Sequence, residues 1–273
     1  TLFPYTTLFR SRGYAEAEKR ELVVARMGSG TYVNQGSNGM SDYLLRQETE
    51  GQIDMSLSTT LSHGQESSLS GILAEIARST HTLQSLMHYQ FNVGCERHRK
   101  GFAEWLNTLG FSADWQNLVI CNGGQNAIHT ILQAITRAGD RVVSDQLTYP
   151  GFTFLARQHQ LRHFGIEMDE HGLIPDALEE ICQKHQPKLL YCMPNLQNPT
   201  STSLPLDRRY RILEIAEAYN LYIIEDQVQG LFQSDPLPAL HQIKPERIFL
   251  TTSFSKLFAG GLRIGLILPP RAF

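Results

Sequence analysis

The sequence predicts an α/β protein whose mainly parallel sheet is flanked by helices and preceded by a helix plus a β-hairpin. Three observations predict it. Short apolar runs of strand length, at residues 117–121, 141–144, 189–193, 221–225, 247–252 and 264–268, recur between stretches of helical spacing. The polar residues able to carry chemistry fall at or just past the ends of those runs, where open α/β sheets bind ligands. A stretch rich in Ser, Gly, Gln and Thr, residues 34–70, separates the helix and hairpin from everything that follows.

The chain has 273 residues and a net charge of −3. That length suits one sizeable domain plus part of another, with a core large enough to sustain itself. The charge excludes a global electrostatic attraction to nucleic acid or to a membrane surface. Cys95, Cys121, Cys182 and Cys192 form no C-x-x-C pair, which fits buried thiols in a reducing compartment, so a cytoplasmic location is expected. No apolar run approaches the ~20 residues of a membrane span, and no signal-peptide pattern opens the sequence. The histidines show no metal spacing; His81 and His88 stand a full heptad apart. The abrupt stop at Phe273, just after an apolar run, suggests a fragment.

Residues 1–11 carry no assignment; a foreign junction is one reading of them. Residues 12–22 have helical propensity. Strands at 23–26 and 31–33 flank the turn Met27-Gly28-Ser29-Gly30, a β-hairpin. A helix followed by a hairpin that carries Arg26 is the geometry of a winged helix, which lays its helix in a major groove and its wing on the DNA backbone or minor groove. A plain hairpin is the alternative. No strand-turn-helix context surrounds Gly28 and Gly30, which excludes a dinucleotide-binding G-x-G. Residues 34–52 read as a linker.

Beyond the linker, residues 72–86 have helical spacing and a second helix runs through Trp105 and Leu109, with Tyr89 between them. Strand 117–121 breaks at Asn122-Gly123-Gly124-Gln125 into helix 126–138, with Ile128, Ile131, Leu132 and Ile135 on one face. Strand, glycine turn and helix start make an anion site, because free N–H groups point outward and the dipole favours negative charge. The missing P-loop lysine argues against a nucleoside triphosphate; a simple tight turn is the alternative. After strand 141–144, Pro150 fixes Tyr149, which can lie flat over a planar ring or serve as a core aromatic. Strand 189–193 ends in Pro194-Asn195-Leu196-Gln197-Asn198-Pro199-Thr200. Helix 207–220 is amphipathic, with Leu206, Tyr210, Leu213 and Ala216 as its inner face. Strand 221–225 ends on Asp226, a functional carboxylate or an ordinary strand-end acid.

Ser253, Ser255, Lys256 and Arg263 lie between the last two apolar runs. A lysine beside a core strand is costly to bury unless it is paired or used. Desolvation lowers its pKa and makes the amine a nucleophile able to form a Schiff base. The serines and Arg263 offer hydroxyl donors and a planar cation to a phosphate. A surface lysine in a connecting loop is the alternative.

The order S-x-S-K, then G-L-R-x-G, over residues 253–265 resembles the lysine motif of fold-type I pyridoxal 5'-phosphate (PLP) enzymes, the class I aminotransferase family. The resemblance implies a fold-type I large domain in which Lys256 holds the cofactor as a Schiff base and Arg263, with Ser253 and Ser255, binds its phosphate. It assigns Gly123, Gly124 and Gln125 to the phosphate turn and stacks Tyr149 on the ring. Residues 194–201 resemble the P-x-x-Q-N-P-T-G signature, with Ser201 in place of glycine, so Asn198 is implied to bond the phenolic oxygen. Asp226 is implied to keep the pyridine nitrogen protonated, which makes the ring an electron sink. Tyr89, in a Y-x-x-x-x-G stretch, is implied to reach the cofactor phosphate of a partner subunit, hence a homodimer. Val228 and Gln229 stand where the family commonly carries a tyrosine, which puts efficient transamination in doubt. The resemblance covers residues 53–273 and ends before the small C-terminal domain.

R-G-Y-A-E-A-E-K-R-E-L-V followed by G-S-G-T-Y-V, within residues 12–33, resembles the last helix and wing of GntR-type DNA-binding domains, with Glu21 in place of a glycine. It marks Arg12, Arg26, Gly28 and Gly30 as DNA-binding candidates. Such a wing ahead of an aminotransferase-like body is the architecture of MocR-type regulators. The resemblance thus implies a PLP-binding transcription regulator whose partners are DNA and a small amine or amino-acid effector. A PLP-dependent aminotransferase and a truncated, non-functional product are the alternatives.

Overall fold

The computed structural model describes residues 5–19, 22–26, 29–33, 58–60 and 63–273. The chain divides into two compact units, Thr1–Asp54 and Met55–Phe273. In the first, helix α1 (Tyr5–Lys19) precedes strands β1 (Val23–Arg26) and β2 (Gly30–Val33), which pair antiparallel with Val23 opposite Val33 and Arg26 opposite Gly30. The hairpin is as expected. The helix is not: it starts at Tyr5, through residues the sequence reading does not assign, and stops at Lys19 rather than Leu22. Pro4 is well tolerated just ahead of a helix, and no further proline interrupts residues 5–19. Arg12 is exposed on α1, Arg26 lies in β1, and Gly30 adopts φ 113, open to glycine without strain. Gly28 and the expected linker 34–52 fall outside the described residues.

The second unit opens with α2 (Gln65–Arg78), α3 (Thr80–Leu86) and α4 (Glu96–Thr108). One helix over 72–86 was expected after an irregular arm reaching residue 70. Instead α2 begins at Gln65, and the chain breaks at Ser79, whose extended backbone frees its hydroxyl to cap α3 by accepting the Thr82 N–H at 3.2 Å.

The remaining elements alternate: β3 (Val119–Cys121), α5 (Gly124–Ile135), β4 (Arg141–Asp145), α6 (Pro150–Gln158), β5 (Arg162–Ile166), β6 (Met168–Asp169), β7 (Gly172–Leu173), α7 (Pro175–His185), β8 (Leu189–Cys192), α8 (Leu206–Ala218), β9 (Tyr222–Asp226), α9 (Leu240–Ile243), β10 (Ile248–Ser253) and β11 (Gly265–Leu268). Seven strands form one sheet in the order β3-β11-β10-β9-β8-β4-β5. All run parallel except β11, which pairs antiparallel with both neighbours. The mainly parallel α/β sheet is therefore as the sequence predicts. Its central strands are buried on both faces, and β8 shows why period-2 alternation then serves two cores. Leu189 and Tyr191 pack with Ile128, Leu132 and Phe152 of α5 and α6. Leu190 and Cys192 pack with Leu178 and Ile212 of α7 and α8.

The expected inner face of α8 needs correction. Leu213 and Ala216 are buried, but Leu206 and Tyr210 are 37% and 50% exposed, and Arg209 takes the interior place with none of its surface in solvent. The four cysteines are free thiols. Among the described residues no helix is long and apolar enough to cross a membrane, and no cluster of three or more His, Cys, Asp or Glu side chains could hold a metal.

Candidate functional site

The topology brings the carboxyl ends of β3, β10, β9, β8 and β4, and the amino end of β11, to one edge of the sheet. There β3 turns through Asn122 and Gly123 into α5. Gly123 has φ 88 and ψ 168, and a Cβ on it would lie 2.4 Å from Arg263 Nη2. Gly265, the first residue of β11, leaves no more room: its own Cβ would come 2.4 Å from the Gly123 carbonyl carbon. Two glycines thus let β11 press the arginine against the turn. The Arg263 guanidinium donates to the carbonyls of Gly260 (3.3 Å) and Asn122 (3.4 Å) and reaches Ser255 Oγ at 3.5 Å. Gly124 faces Ser253, whose Oγ would lie 3.6 Å from a Cβ there. A guanidinium, serine hydroxyls and the positive end of α5 therefore converge, the chemistry an anion requires. Gly123→Ala is expected to cost about 2 kcal/mol of stability through strain and the displaced guanidinium, and at least about tenfold in affinity for PLP. Thermal melts and an absorbance titration check this, and a variant equal to wild type in both would refute it.

Lys256 lies in a π-helical turn, Ser255–Ala259, that follows β10. Phe254 anchors the turn by packing its ring 4.9 Å from Trp105 and 5.4 Å from Phe102, centroid to centroid. Burial pulls the Lys256 ammonium below its ordinary value, and the neighbouring Arg263 charge adds to the effect. Its Nζ donates to the Ser58 carbonyl, and Thr60 Oγ1 donates to the Ser255 carbonyl at 2.7 Å. Lys256 and Leu257 line an open pocket of about 620 Å³ together with Thr59, Thr60, Gln65 and Phe232.

Asp226, buried at the end of β9, accepts the Tyr191 hydroxyl at 2.8 Å and the Val228 N–H at 2.9 Å. Burial raises its pKa, and those two donors pull it back. Both are neutral, so this buried carboxylate is a suitable seat for a cation. Val228 points at the glycine turn, its Cγ2 3.4 Å from a Cβ on Gly124. Gln125 Nε2 donates to the Gly151 carbonyl at 3.0 Å, and its buried Oε1 has no hydrogen-bond partner among the described residues. A Cβ on Gly151 would strike that Oε1 at 2.3 Å and the Tyr149 ring at 2.4 Å, so these three residues form one packed group.

Gly123, Gly124, Ser253, Ser255 and Arg263 thus come together directly, beside Lys256 and the group of Gln125 and Tyr149. Among the described residues no hydrogen bond of its own side chain draws Asn198 into this group. Its loop is tied in by Gln197, whose Nε2 donates to the Leu147 carbonyl at 2.5 Å and to Asp145 Oδ2 at 3.3 Å. Tyr89 is fully exposed in the segment between α3 and α4. Asp145 escaped the sequence reading. It is buried at the end of β4, and burial pushes its carboxyl up to about 7. The strand-end rule that singles out Asp226 could have found it.

An anion cradle, a lysine of lowered pKa, a tyrosine beside the cradle and a buried carboxylate with only neutral partners fit the phosphate, aldehyde, ring and pyridine nitrogen of PLP. Comparison with known proteins agrees. Residues 51–272 match the family described as aminotransferase class I and II. An uncharacterized HTH-type transcriptional regulator of Bacillus subtilis, YdeF, is 27% identical over 265 residues, which is 96% of this chain and 56% of that protein. The mitochondrial kynurenine/alpha-aminoadipate aminotransferase of Bos taurus is 31% identical over 169 residues, 57% of this chain and 40% of that protein. Among solved structures, LysN, an alpha-aminoadipate aminotransferase from Thermus thermophilus complexed with N-(5'-phosphopyridoxyl)-L-leucine, superposes with a TM-score of 0.69 at 26% identity, over 76% of this chain and 53% of that one. The chain spans about half the length of the relatives it matches.

Proposed function

The chain belongs to the class I and II aminotransferase family, whose cofactor is PLP, and from that premise we propose that it is part of a PLP-binding transcription regulator. The observation that carries this reading is the extent of the likeness to the HTH-type regulator. It spans 96% of the chain and leaves only about 11 residues outside, so the helix and hairpin of residues 12–33 lie within it. On this reading α1, β1 and β2 are the last helix and wing of a GntR-type domain, with Arg12, Arg26, Gly28 and Gly30 toward DNA. Residues 53–273 are the body that senses a small amine or amino acid.

In that body the Gly123-Gly124-Gln125 turn, Ser253, Ser255 and Arg263 hold the phosphate, Tyr149 covers the ring, Asn198 meets the phenolic oxygen and Asp226 the pyridine nitrogen. Bound there, PLP supplies an electrophilic carbon and an electron sink. Lys256 Nζ is the covalent attachment point, and its lowered pKa keeps more of it in the neutral, nucleophilic form. Exchange of Lys256 for an effector amine would free the ammonium and shift the equilibrium of the DNA-binding arm by the effector's differential affinity for the two states. The apolar residues Leu86, Met87, Tyr89 and Phe91 are exposed in succession, a surface suited to a second copy, to whose cofactor Tyr89 would then be presented.

A second reading, a PLP-dependent aminotransferase, is favoured by the likeness of the body to the bovine enzyme. There Lys256 Nζ would take and return the proton at the substrate's Cα. Gln229 in place of a tyrosine weighs against rapid turnover. One experiment separates the two: the protein with PLP is mixed with a panel of amino acids while the visible spectrum and keto-acid release are followed. A spectral change without multiple turnovers is expected. Catalytic keto-acid release would overturn the regulator reading in favour of the enzyme.

A further inference from the structure

Arg209 is a full-length cation with no surface in solvent, on a helix whose neighbouring interior positions are Ile212, Leu213, Ile215 and Ala216. Among the described residues no carboxylate touches its guanidinium. It donates instead to the Leu204 carbonyl (2.8 Å), the Pro194 carbonyl (2.9 Å) and Asn195 Oδ1 (2.6 Å) on one side, and to the carbonyls of Pro238 (2.8 Å) and Leu237 (3.3 Å) on the other. The first group brackets the loop after β8, residues 194–204; the second belongs to the loop between β9 and α9. A buried charge survives only where its donors are satisfied, and here the five acceptors come from two segments that lack regular structure of their own. Asn195 joins them further, its Nδ2 donating to Gln227 Oε1 at 3.3 Å. Glu225, buried at the end of β9, holds the N–H groups of Leu240 and His241 at 2.8 Å each and interacts with Arg209 without touching it; burial raises its pKa and those donors pull it back.

The geometry points to Arg209 as a positioning residue: it clamps the 194–204 loop to the 233–239 loop and so fixes Asn198 at the cofactor. The clamp is read from the contacts alone; its bearing on Asn198 rests on the cofactor reading above. Arginine suits the task better than lysine, because its planar fork reaches acceptors on both sides at once, whereas an ammonium on a flexible stem cannot.

The test compares Arg209→Lys, Asn195→Ala and a control, Ile135→Ala, which opens a cavity under the other face of the sheet, in a core that holds no residue of either loop. In hydrogen–deuterium exchange without cofactor, the amides of residues 194–204 and 233–239 in Arg209→Lys are expected to exchange at least about tenfold faster, while β8 and β10 remain protected. Ile135→Ala should leave those loops as in wild type. Loaded with PLP, Arg209→Lys should move the pH inflection of the visible band upward, as a loosened Asn198 contact requires; Ile135→Ala should not. Should Arg209→Lys fail to fold, Asn195→Ala carries the same exchange test with the arginine kept. Loop exchange that is unchanged, or raised equally in the control, overturns the clamp. An absent band in wild type defeats the cofactor reading, while the exchange data still decide the clamp. Faster loop exchange with no change in the inflection overturns the link to Asn198.

Discussion

Lys256→Ala is expected to abolish the visible band that the protein forms with PLP, to remove the borohydride-trapped mass increase at this position, and to weaken PLP binding at least about 100-fold, or about 3 kcal/mol. The expectation is selective for this lysine. Lys100, Lys188 and Lys244 are each engaged in an ion pair, with Glu96, Asp140 and Glu217. Lys256 is half-buried, faces the Arg263 cation and is paired with a backbone carbonyl, so its ammonium is the destabilised one. The pH dependence follows in sign. Capture of an aldehyde needs the neutral amine, so the rate in wild type should rise with pH through an inflection below the ~10.4 of a free lysine. Stopped-flow absorbance across pH 6 to 10 measures it. An undiminished band in Lys256→Ala would remove the lysine from the site and with it the assignment of the whole 253–265 motif.

Much of the sheet was legible because its strands are apolar runs closed by glycine, proline or an acid, and because a central parallel strand needs no alternation to be recognised. Its edge strand β5 was harder to see: with Arg162, His163 and Gly165 among its residues it is mostly half-exposed, and its composition carries little strand signal. Periodicity also misplaced the inner face of α8, since a rule that seeks apolar positions has no means of seeing that loop carbonyls far along the chain make an interior place for Arg209. The site divides in the same way. Lys256, Asp226 and the glycine turn announce themselves by residue type at a strand end. The closeness of Gly123 to Arg263 depends on the pairing of β3 with β11, Gly265 opposite Cys121, which no local pattern encodes. Asn198 and Tyr89 were found through resemblance alone; their proposed partners are a cofactor and a second subunit, so the chain's own contacts bear on neither.

Asp145→Asn is expected to stabilise the protein at pH 8 and to leave it nearly unchanged at pH 4. Asp145 is almost wholly buried, its carboxylate accepts from Gln197 at 3.3 Å, and desolvation raises its pKa from 3.8 to about 7. A carboxyl whose folded pKa lies above its unfolded value binds its proton more tightly in the folded state. Its contribution to stability is therefore full below about pH 4, declines as the pH rises toward 7, and is lost above that. A shift of about three units corresponds to about 4 kcal/mol at most, an electrostatic cost that the fold carries at alkaline pH. Asparagine is nearly isosteric, keeps an acceptor for Gln197 and removes the titration. The difference in unfolding free energy between variant and wild type should accordingly grow from near zero at pH 4 to several kcal/mol at pH 8, measured by urea denaturation at each pH. A difference independent of pH would show that Asp145 keeps its charge throughout, held by groups other than Gln197. The acid shares Gln197 with the loop of Asn198, so its protonated form, which can donate as well as accept, would tie that loop more firmly. Wild type should then bind PLP more tightly at pH 6 than at pH 8 relative to the variant, a coupling that a purely structural acid far from the loop would not produce.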